Sequence, residues 1–340
     1  MPTIVPPSPA LVEGPQSGMQ ATIPDKYLHI ILLGTDLRPV ERIHSDISIR
    51  GKRNVSRTDA MIVVSLDLEE NEVRVLNFPR DLYVYIPEHG YNRINTAATW
   101  AELEEAGSGG ERVKQTLYQN FGIPVHYYVK MDFEGFVNIV NALGGVDVDV
   151  ECPYPLLELE PGIHHLDGAE ALLYVHKRVG SDDFDRKRRQ RTMMMALWEQ
   201  ALTPGIIAKL PQLWVTLGDS FQTDLPLEQV ISLAYRGLQL RPQDIEMTSI
   251  GDKQTDHFVT PEGAWVLKPR EEAIRELLED LYAPKAETVT EKVDKVRVQV
   301  LNGSGRFQAE ELAATALRRK GLKVIDKGQA DQQDYEETQI

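Results

Sequence analysis

A stretch with seven cations, Ala171–Arg191, places the strongest constraint on this chain. Apolar residues precede its first cation, Lys177, and apolar residues resume at Met193. Guanidinium groups crowded beside buried segments repel one another unless an anion joins them, and arginine binds phosphate through paired hydrogen bonds. The stretch therefore indicates either a solvated charged helix face, where most charge runs occur, or a site for a compact anion.

The overall composition favours a compact anionic ligand over a polyanionic partner. The chain has 340 residues with 37 cations and 52 anions, so its net charge is −15. A chain of this charge as a whole repels nucleic acid and anionic lipid, while a local basic cluster still suits a small anionic ligand. The length predicts about two domains. The one cysteine, Cys152, excludes an intrachain disulfide.

The predicted domain boundaries follow changes in composition. No run of about 18 apolar residues is present, and there is no signal-peptide pattern, so we expect a membrane anchor to lie outside this sequence. We also expect the chain to be truncated at both ends. The predicted segments are a disordered Pro-rich lead at 1–26, a main domain at 27–281, a polar linker at 282–294 and a partial domain at 295–340.

Three predicted strands have acidic or basic residues at one boundary. The strands are Tyr27–Leu33, Ala60–Leu68 and Glu72–Phe78, and the last two are expected to form a hairpin. Asp36 and Arg80 follow their strands, whereas Arg57 and Asp59 precede theirs. Because the start of one hairpin strand lies beside the end of the other, Arg57, Asp59 and Arg80 are expected to meet at one edge of the sheet.

The remaining pattern predicts an α/β (α+β type) fold with a mixed central β-sheet flanked by helices. Further strands are expected at Val125–Met131 and Val146–Glu151, and Glu158–His165 is interpreted as a loop. Asp167 and Glu170 fit a capping box for a helix that buries Leu172 and Leu173. Other helices are expected at Glu111–Asn120, from Asp132 to Leu143, from about Arg186 through Trp198, at Pro226–Leu238 and at Glu271–Leu281. The end of the chain predicts a small partial βαβ unit with strands Val296–Leu301 and Leu322–Ile325 around a helix, Ala309–Lys320.

The candidate site residues indicate metal-assisted phosphoryl chemistry, if they converge. Two carboxylates beside a pyrophosphate repel it, by roughly 4 kcal/mol for unit charges about 4 Å apart at an effective dielectric constant near 20. A divalent cation between them reverses the sign, and magnesium pairs carboxylates with substrate phosphates. Zinc is disfavoured because the adjacent His164 and His165 do not easily face one metal. No nucleophile-elbow serine or Walker lysine is present.

At these residues the sequence resembles the LytR-CpsA-Psr family. The resemblance runs from about Tyr27 to Leu202 and more weakly to Leu281. The matching stretches are LLGTDLR (Leu32–Arg38), SRTDAMIVVSLD (Ser56–Asp67), NFPRDLYVYIPEHGYNRIN (Asn77–Asn95), VHYYVKMDFEGFVNIVNALGGVDVDV (Val125–Val150), PGIHHLDGAEALLYVHKR (Pro161–Arg178) and DFDRKRRQR (Asp183–Arg191). The segment from Val296 onward resembles the first half of a LytR C-terminal domain.

The resemblance implies a metal-dependent phosphotransferase on the extracytoplasmic face of the membrane. Such enzymes move a glycopolymer from a polyprenyl-pyrophosphate carrier to peptidoglycan and form a phosphodiester. Carried over by motif, Asp36 and Asp59 are expected to bind Mg²⁺ (or Mn²⁺). The expected catalytic residues are Arg80, Arg178 and Arg186. The expected substrate-binding residues are Arg57, Arg93, His176 and Gln190.

The sequence departs from the family pattern at three positions. Arg93 stands where the family usually has lysine, His176 replaces an arginine, and Asp185 replaces a glycine; the last two could weaken pyrophosphate binding or change substrate preference. The family also implies an apolar lipid groove, here between the Phe133 helix and the Met193–Trp198 helix. For Asp81, an ion pair is favoured over a role as general base.

Three other functions stay open from the sequence. A hydrolase would direct water to the same pyrophosphate. A non-catalytic lipid-binding module is suggested by the His176 departure. A DNA-binding transcriptional regulator is disfavoured because the chain has no helix-turn-helix signal and a net charge of −15. We therefore expect no nucleic-acid partner.

Overall fold

A computed structural model describes residues 17–36, 57–177, 183–283, 297–303, 313–314, 317 and 323–332. Within these ranges the side chains of residues 36, 183–187, 204 and 323 are not described. The chain divides into two compact units, Met1–Tyr282 and Ala283–Ile340. Each unit is considered separately below.

The first unit alternates strands and helices along the described chain. Its strands are β1 (Tyr27–Asp36), β2 (Arg57–Asp67), β3 (Val73–Phe78), β4 (Tyr83–Ile86), β5 (Gly90–Arg93), β6 (Tyr127–Asp132), β7 (Val146–Val150), β8 (Gly162–Leu166), β9 (Gln222–Thr223), β10 (Ile245–Ser249), β11 (Thr255–Val259) and β12 (Trp265–Pro269). Its helices are α1 (Ala97–Glu104), α2 (Gly109–Phe121), α3 (Phe133–Ala142), α4 (Gly168–His176), α5 (Asp183–Ala201), α6 (Pro204–Ile207), α7 (Leu210–Thr216), α8 (Leu227–Gly237) and α9 (Glu271–Tyr282).

A mixed six-stranded sheet lies at the centre of this unit, in the order β10-β3-β2-β1-β6-β9. The pairs β1–β2 and β2–β3 are antiparallel, whereas β1–β6 and β3–β10 are parallel. Smaller two-stranded sheets pair β4 with β5, β7 with β8, and β11 with β12. The predicted α/β class with a mixed central sheet flanked by helices is confirmed.

Alternating residues of the sheet enter two separate apolar clusters. In β3, Leu76 and Phe78 belong to a cluster with residues of α2 and α9, while Val73 and Val75 belong to one with residues of α8. Successive side chains of a strand point to opposite faces, so each face of the sheet is covered by helices. Met194 of α5 packs on the second cluster.

A third cluster joins β7 with α3, α4 and α5. Valines 146, 148 and 150 of β7 are buried and the intervening aspartates are exposed, as the alternation predicted. The predicted capping box is confirmed: the Asp167 carboxylate accepts hydrogen bonds from two backbone amides of α4, and Glu170 accepts one from the Asp167 amide. Met193 and Leu197 of α5 complete this cluster.

Three local predictions differ from the structure. Residues 162–166 form strand β8 rather than a loop, because their backbone pairs with β7 while two of the side chains face solvent. In α4, Ala171 and Tyr174 are buried rather than Leu172 and Leu173, because positions three apart share a helix face. Strand β1 continues to Asp36, so this residue ends the strand instead of following it.

Part of the predicted disordered lead packs on the core. Met19 is 2% exposed and lies in the cluster that contains α2 and α9. The Gln20 side chain donates a 2.8 Å hydrogen bond to the Gln119 carbonyl, and the Ala21 amide donates to the Phe121 carbonyl. Residues 17–26 are therefore ordered by contacts with α2, while residues 1–16 lie outside the described part.

The second unit contains β13 (Arg297–Asn302) and β14 (Lys323–Gln329), which pair in parallel. Residues 313, 314 and 317 between them are helical, within the predicted helix Ala309–Lys320. The other residues of that helix are outside the described part. Among all the helices described in both units, none is long and apolar enough to cross a bilayer.

Candidate functional site

A β-bulge at the start of β2 directs the side chain of Asp59. Along the β1–β2 pair, Gly34 is opposite Ala60 but Thr35 is opposite Thr58, so Asp59 is the extra residue of the bulge. A bulge of this kind re-aims a side chain and interrupts the two-residue alternation. Burial follows the interruption, since Thr58 and Met61 are both buried and the two residues between them are not.

The re-aimed Asp59 carboxylate meets Arg80. Arg80 follows β3, whose Phe78 is opposite Met61 of β2. Its guanidinium donates a hydrogen bond of 2.9 Å from Nη1 to the Asp59 carboxylate. Partial burial lowers the pKa of Arg80, but the charges of Asp59 and Asp81 outweigh it and leave that pKa raised. The predicted approach of Asp59 and Arg80 is present, and Arg80 stays a cation at any pH of interest.

The ionic contacts continue from Arg80 to Arg93 and the β11–β12 hairpin. The Asp81 carboxylate lies 3.4 Å from Nε of Arg80 and 3.5 Å from Nε of Arg93. Arg93 also donates hydrogen bonds of 3.1 Å and 2.8 Å to the carbonyl of Trp265. Asp81 thus bridges two guanidinium groups, the ion-pair role that the sequence favoured for it. The role of the Trp265 carbonyl could not be found from sequence, because 172 residues separate it from Arg93.

The ends of β1 and β6 lie beside the start of β2. Asp36 is opposite Arg57 across the β1–β2 pair, and Thr35 is opposite Asp132 of β6. The Asp132 carboxylate caps α3 by accepting a 2.8 Å hydrogen bond from the Gly135 amide. The backbone therefore brings Asp36, Arg57 and Asp59 to one end of the sheet.

The second group of predicted residues approaches this sheet end through α3 and α4. The ring of His176, the last residue of α4, lies 4.8 Å from the ring of Phe133, which directly follows Asp132. Gln190 of α5 donates a 3.4 Å hydrogen bond to the Val175 carbonyl of α4. Arg178 lies outside the described residues. Arg186 and Asp185 are in the first turn of α5, and their side chains are not described.

Arg189 is a buried cation whose role the sequence reading missed. Its side chain donates hydrogen bonds of 2.8 Å to the Tyr174 carbonyl and 2.7 Å to the Lys177 carbonyl. The guanidinium also lies over the rings of Tyr154 and Tyr174, at 5.0 Å and 5.8 Å from their centroids. One arginine therefore holds the end of α4 against α5. No local pattern signals this role, because Tyr174 and Tyr154 lie in other segments, 15 and 35 positions before Arg189.

The carboxylates at this sheet end are the type of ligand that a magnesium ion prefers. Magnesium pairs one or two carboxylates with substrate phosphates and keeps several waters. The described Asp59 carboxylate and the position of Asp36 at the same sheet end supply that class of ligand. Among the described side chains, which exclude that of Asp36, no group of three or more His, Cys, Asp or Glu residues could hold a metal ion by itself.

Comparisons with known proteins identify a family and several relatives of this chain. The family model described as the LytR_cpsA_psr family matches residues 12–283. One curated relative is the polyisoprenyl-teichoic acid–peptidoglycan teichoic acid transferase TagT of Bacillus subtilis (strain 168), which is 28% identical over 263 residues. That match covers 74% of this chain and 75% of TagT.

Solved structures share the fold. A structure of TagT bound to LI-WTA has a TM-score of 0.58 and 26% identity, and the match covers 79% of this chain and 95% of that one. A structure of the LytR-CPS2A-psr family protein YwtF (TagT) with bound octaprenyl pyrophosphate lipid has a TM-score of 0.55 and 22% identity, over 81% of this chain and 94% of the other. The second likeness shows the fold alone.

Proposed function

Because this chain belongs to the LytR_cpsA_psr family, we propose that it is a glycopolymer phosphotransferase. Its donor is a glycopolymer on a polyprenyl-pyrophosphate carrier, and its acceptor is peptidoglycan on the extracytoplasmic face of the membrane. The relative TagT supports the reaction, since it is named as a teichoic acid transferase acting on peptidoglycan. The ligands of the two TagT structures, LI-WTA and octaprenyl pyrophosphate, support the class of donor.

One observation carries the proposal: the Asp59–Arg80 pair lies at the sheet end where β1 and β6 also end. Arginine holds phosphate oxygens and stabilises charge that develops on them. Arg80, Arg178 and Arg186 hold the diphosphate and stabilise the leaving polyprenyl phosphate. Arg57, His176 and Gln190 complete its binding.

In this proposal Arg93 does not contact the phosphate but positions another residue of the site. Its guanidinium already contacts the Asp81 carboxylate and the Trp265 carbonyl. Arg93 therefore orients Asp81, and Asp81 orients Arg80 toward the diphosphate. This chain of contacts explains how an arginine serves at a position where the family usually has lysine.

The acceptor hydroxyl attacks the glycan-linked phosphorus in line with the leaving polyprenyl phosphate. The new phosphorus–oxygen bond joins glycan phosphate to peptidoglycan, and the bond to the carrier phosphate breaks. A magnesium ion held by Asp36 and Asp59 would supply positive charge to the diphosphate oxygens. Phe133 of α3 and the apolar side of α5 are the proposed neighbours of the polyprenyl chain.

The test supplies a lipid-linked donor to the full chain with and without peptidoglycan. Glycan covalently attached to peptidoglycan, formed by the wild type and reduced about 100-fold or more in Arg80→Ala, would support the proposal. Arg241→Ala is a matched control, because Arg241 is exposed and contacts Asp244 elsewhere on the molecule. Equal release of glycan phosphate with and without peptidoglycan would instead identify a hydrolase.

A further inference from the structure

Four aromatic side chains form a partly exposed surface on two neighbouring hairpins. Trp265 of β12 is 68% exposed and Tyr91 of β5 is 62% exposed, while Tyr83 and Tyr85 of β4 are half-buried. Contiguous exposed apolar surface is unusual on a soluble domain and marks an interaction site when it is bordered by polar groups. These four residues are called the aromatic row below.

The register of β4 and β5 places the three tyrosines on one face. Tyr85 is directly opposite Tyr91, and Tyr83 is directly opposite Arg93. Opposed residues and residues two apart share a face of a hairpin. The ring centroid of Tyr91 lies 5.9 Å from that of Tyr83 and 5.7 Å from that of Tyr85. Arg93 is on this same face.

Arg93 connects the tyrosines to Trp265. Its guanidinium donates two hydrogen bonds to the Trp265 carbonyl, so a residue on the tyrosine face holds the start of β12. The Leu267 amide donates a 2.9 Å hydrogen bond to the Asp81 carbonyl, and Leu82 and Leu267 form a parallel bridge. The β11–β12 hairpin is therefore fixed beside Arg80, and the aromatic row begins next to the ionic contacts of the site.

We propose that the aromatic row binds the glycan strand of the acceptor. This inference rests on the proposed transferase function and adds to it the place where the acceptor lies. A pyranose ring has an apolar face that packs on an aromatic ring, and tyrosine hydroxyls and the indole N–H can bond to sugar hydroxyls. Tyrosine and tryptophan provide such contact area with little loss of side-chain entropy.

The position of the aromatic row relative to the central sheet favours binding of the acceptor over binding of the donor. The row is next to Arg80 at the end of β3, whereas His176 contacts Phe133 at the end of β6. With the order β3-β2-β1-β6 and about 4.8 Å between strands, these ends are roughly 14 Å apart. The polyprenyl chain of the donor is proposed at the β6 side, beside Phe133, and its diphosphate extends from there toward Arg80. Because attacking and leaving oxygens are in line, the acceptor approaches from the β3 side.

A membrane surface fits the row less well. Burial and then the charge of Glu262, in the loop between β11 and β12, raise the pKa of Tyr83, so a carboxylate lies close to the rings. An anionic bilayer attracts basic segments and repels carboxylates. Neutral sugar rings carry no such penalty.

The experiment measures binding of a peptidoglycan tetrasaccharide to the full chain by calorimetry, without donor and without turnover. Trp265→Ala should raise the dissociation constant of the tetrasaccharide about tenfold, and Tyr91→Ala should raise it to a similar degree. Trp265→Phe should restore most of the affinity. The Trp265 substitutions leave the carbonyl that Arg93 contacts, so the ionic contacts are retained. Tyr235→Ala is the matched control, because Tyr235 is 52% exposed on α8.

Each outcome has a definite meaning for the inference. Unchanged tetrasaccharide affinity in Trp265→Ala and Tyr91→Ala would overturn it, as would equal losses in Tyr235→Ala. Loss of sedimentation with anionic vesicles in Trp265→Ala, with tetrasaccharide affinity retained, would assign the row to a lipid surface instead. Failure of the proposed function is a separate result, namely unchanged binding of geranylgeranyl pyrophosphate in Arg80→Ala.

Discussion

The guanidinium of Arg80 donates a 2.9 Å hydrogen bond to the carboxylate of Asp59, the extra residue of the β-bulge in β2. The two charges neutralise each other in the described state. A diphosphate and a divalent cation would each take one member of the pair, the anion binding Arg80 and the cation binding Asp59. Exchange of partners in this way keeps both charges compensated before and after binding.

In Asp59→Asn, the presence of magnesium should therefore decide whether the variant or the wild type binds the ligand more tightly. Without metal, the variant should bind geranylgeranyl pyrophosphate more tightly than the wild type, because a repelling carboxylate is gone and Arg80 is released. With magnesium, the wild type should bind about tenfold more tightly than the variant. Calorimetric titrations with EDTA or with magnesium measure both constants. Asp219→Asn, an exposed substitution, is the control. The same metal response in both variants would contradict a role for Asp59 in cation binding.

Arg189→Ala should destabilise the first unit by about 3 kcal/mol, because two backbone carbonyls lose their donor and two tyrosine rings lose a cation. Arg189→Lys should recover only part, since an ammonium group lacks the planar fork of donors. Urea unfolding measures the free energy of each variant. Arg191→Ala, two residues further along α5 and exposed, should change it by less than about 0.5 kcal/mol. Equal stability of the two alanine variants would show that the Arg189 contacts contribute little.

Acid should destabilise the protein through a buried histidine pair between β1 and β6. The rings of His29 and His126 are stacked 5.6 Å apart, and the His29 amide donates a 3.0 Å hydrogen bond to Nδ1 of His126. Burial, and then the charge of His126, lowers the pKa of His29 to about 3. Burial is also the largest cause that lowers the pKa of His126, to about 4.

Both imidazoles are neutral in the folded state at pH values where an unfolded chain, with pKa near 6.5, is already protonated. The stability contributed by the lowered pKa is thus complete above about pH 6.5 and is lost as pH falls toward 4. For His126 alone the loss is about 3 kcal/mol. His126→Asn, which keeps an acceptor for the His29 amide, should reduce the slope of unfolding free energy against pH. His257→Asn, at an exposed position, should leave the slope unchanged; equal slopes in all three proteins would contradict the prediction.

Met19→Ala should lower the free energy of unfolding by about 2–4 kcal/mol, because it removes a buried side chain from the cluster of α2 and α9. Val215→Ala provides the comparison, since Val215 is 81% exposed and should change stability by about 0.5 kcal/mol or less. Guanidinium unfolding of the full chain gives both values. A change at Met19 no larger than that at Val215 would mean that residues 17–26 add little to the core.

The sequence predicted features that depend on neighbours in the chain. The apolar runs of β1, β2 and β3, the capping box at Asp167 and the alternation of β7 are all local patterns, and each is present. The approach of Asp59 and Arg80 was also predictable, because a short hairpin fixes which strand ends are adjacent.

Features that depend on distant partners were not predictable. Strand β8 has a polar sequence that forms a strand only because β7 supplies its hydrogen bonds. Nothing near Arg189 indicates burial, since one of its two tyrosine neighbours, Tyr154, is 35 positions away. The contact of Arg93 with the Trp265 carbonyl joins a predicted substrate-binding residue to a segment for which no element was predicted.

The bulge at Asp59 also has a consequence for how β2 tolerates change in length. On its Met61 side the odd-numbered Met61 and Val63 enter the cluster of α2 and α9, whereas on its Arg57 side the buried residue is the even-numbered Thr58. Deleting Asp59 would leave Thr58 and Arg57 opposite Thr35 and Asp36 in unbroken alternation, so Thr58 would stay buried. The strand could therefore lose Asp59 without changing which of its side chains are buried, and what would disappear is the carboxylate that binds Nη1 of Arg80.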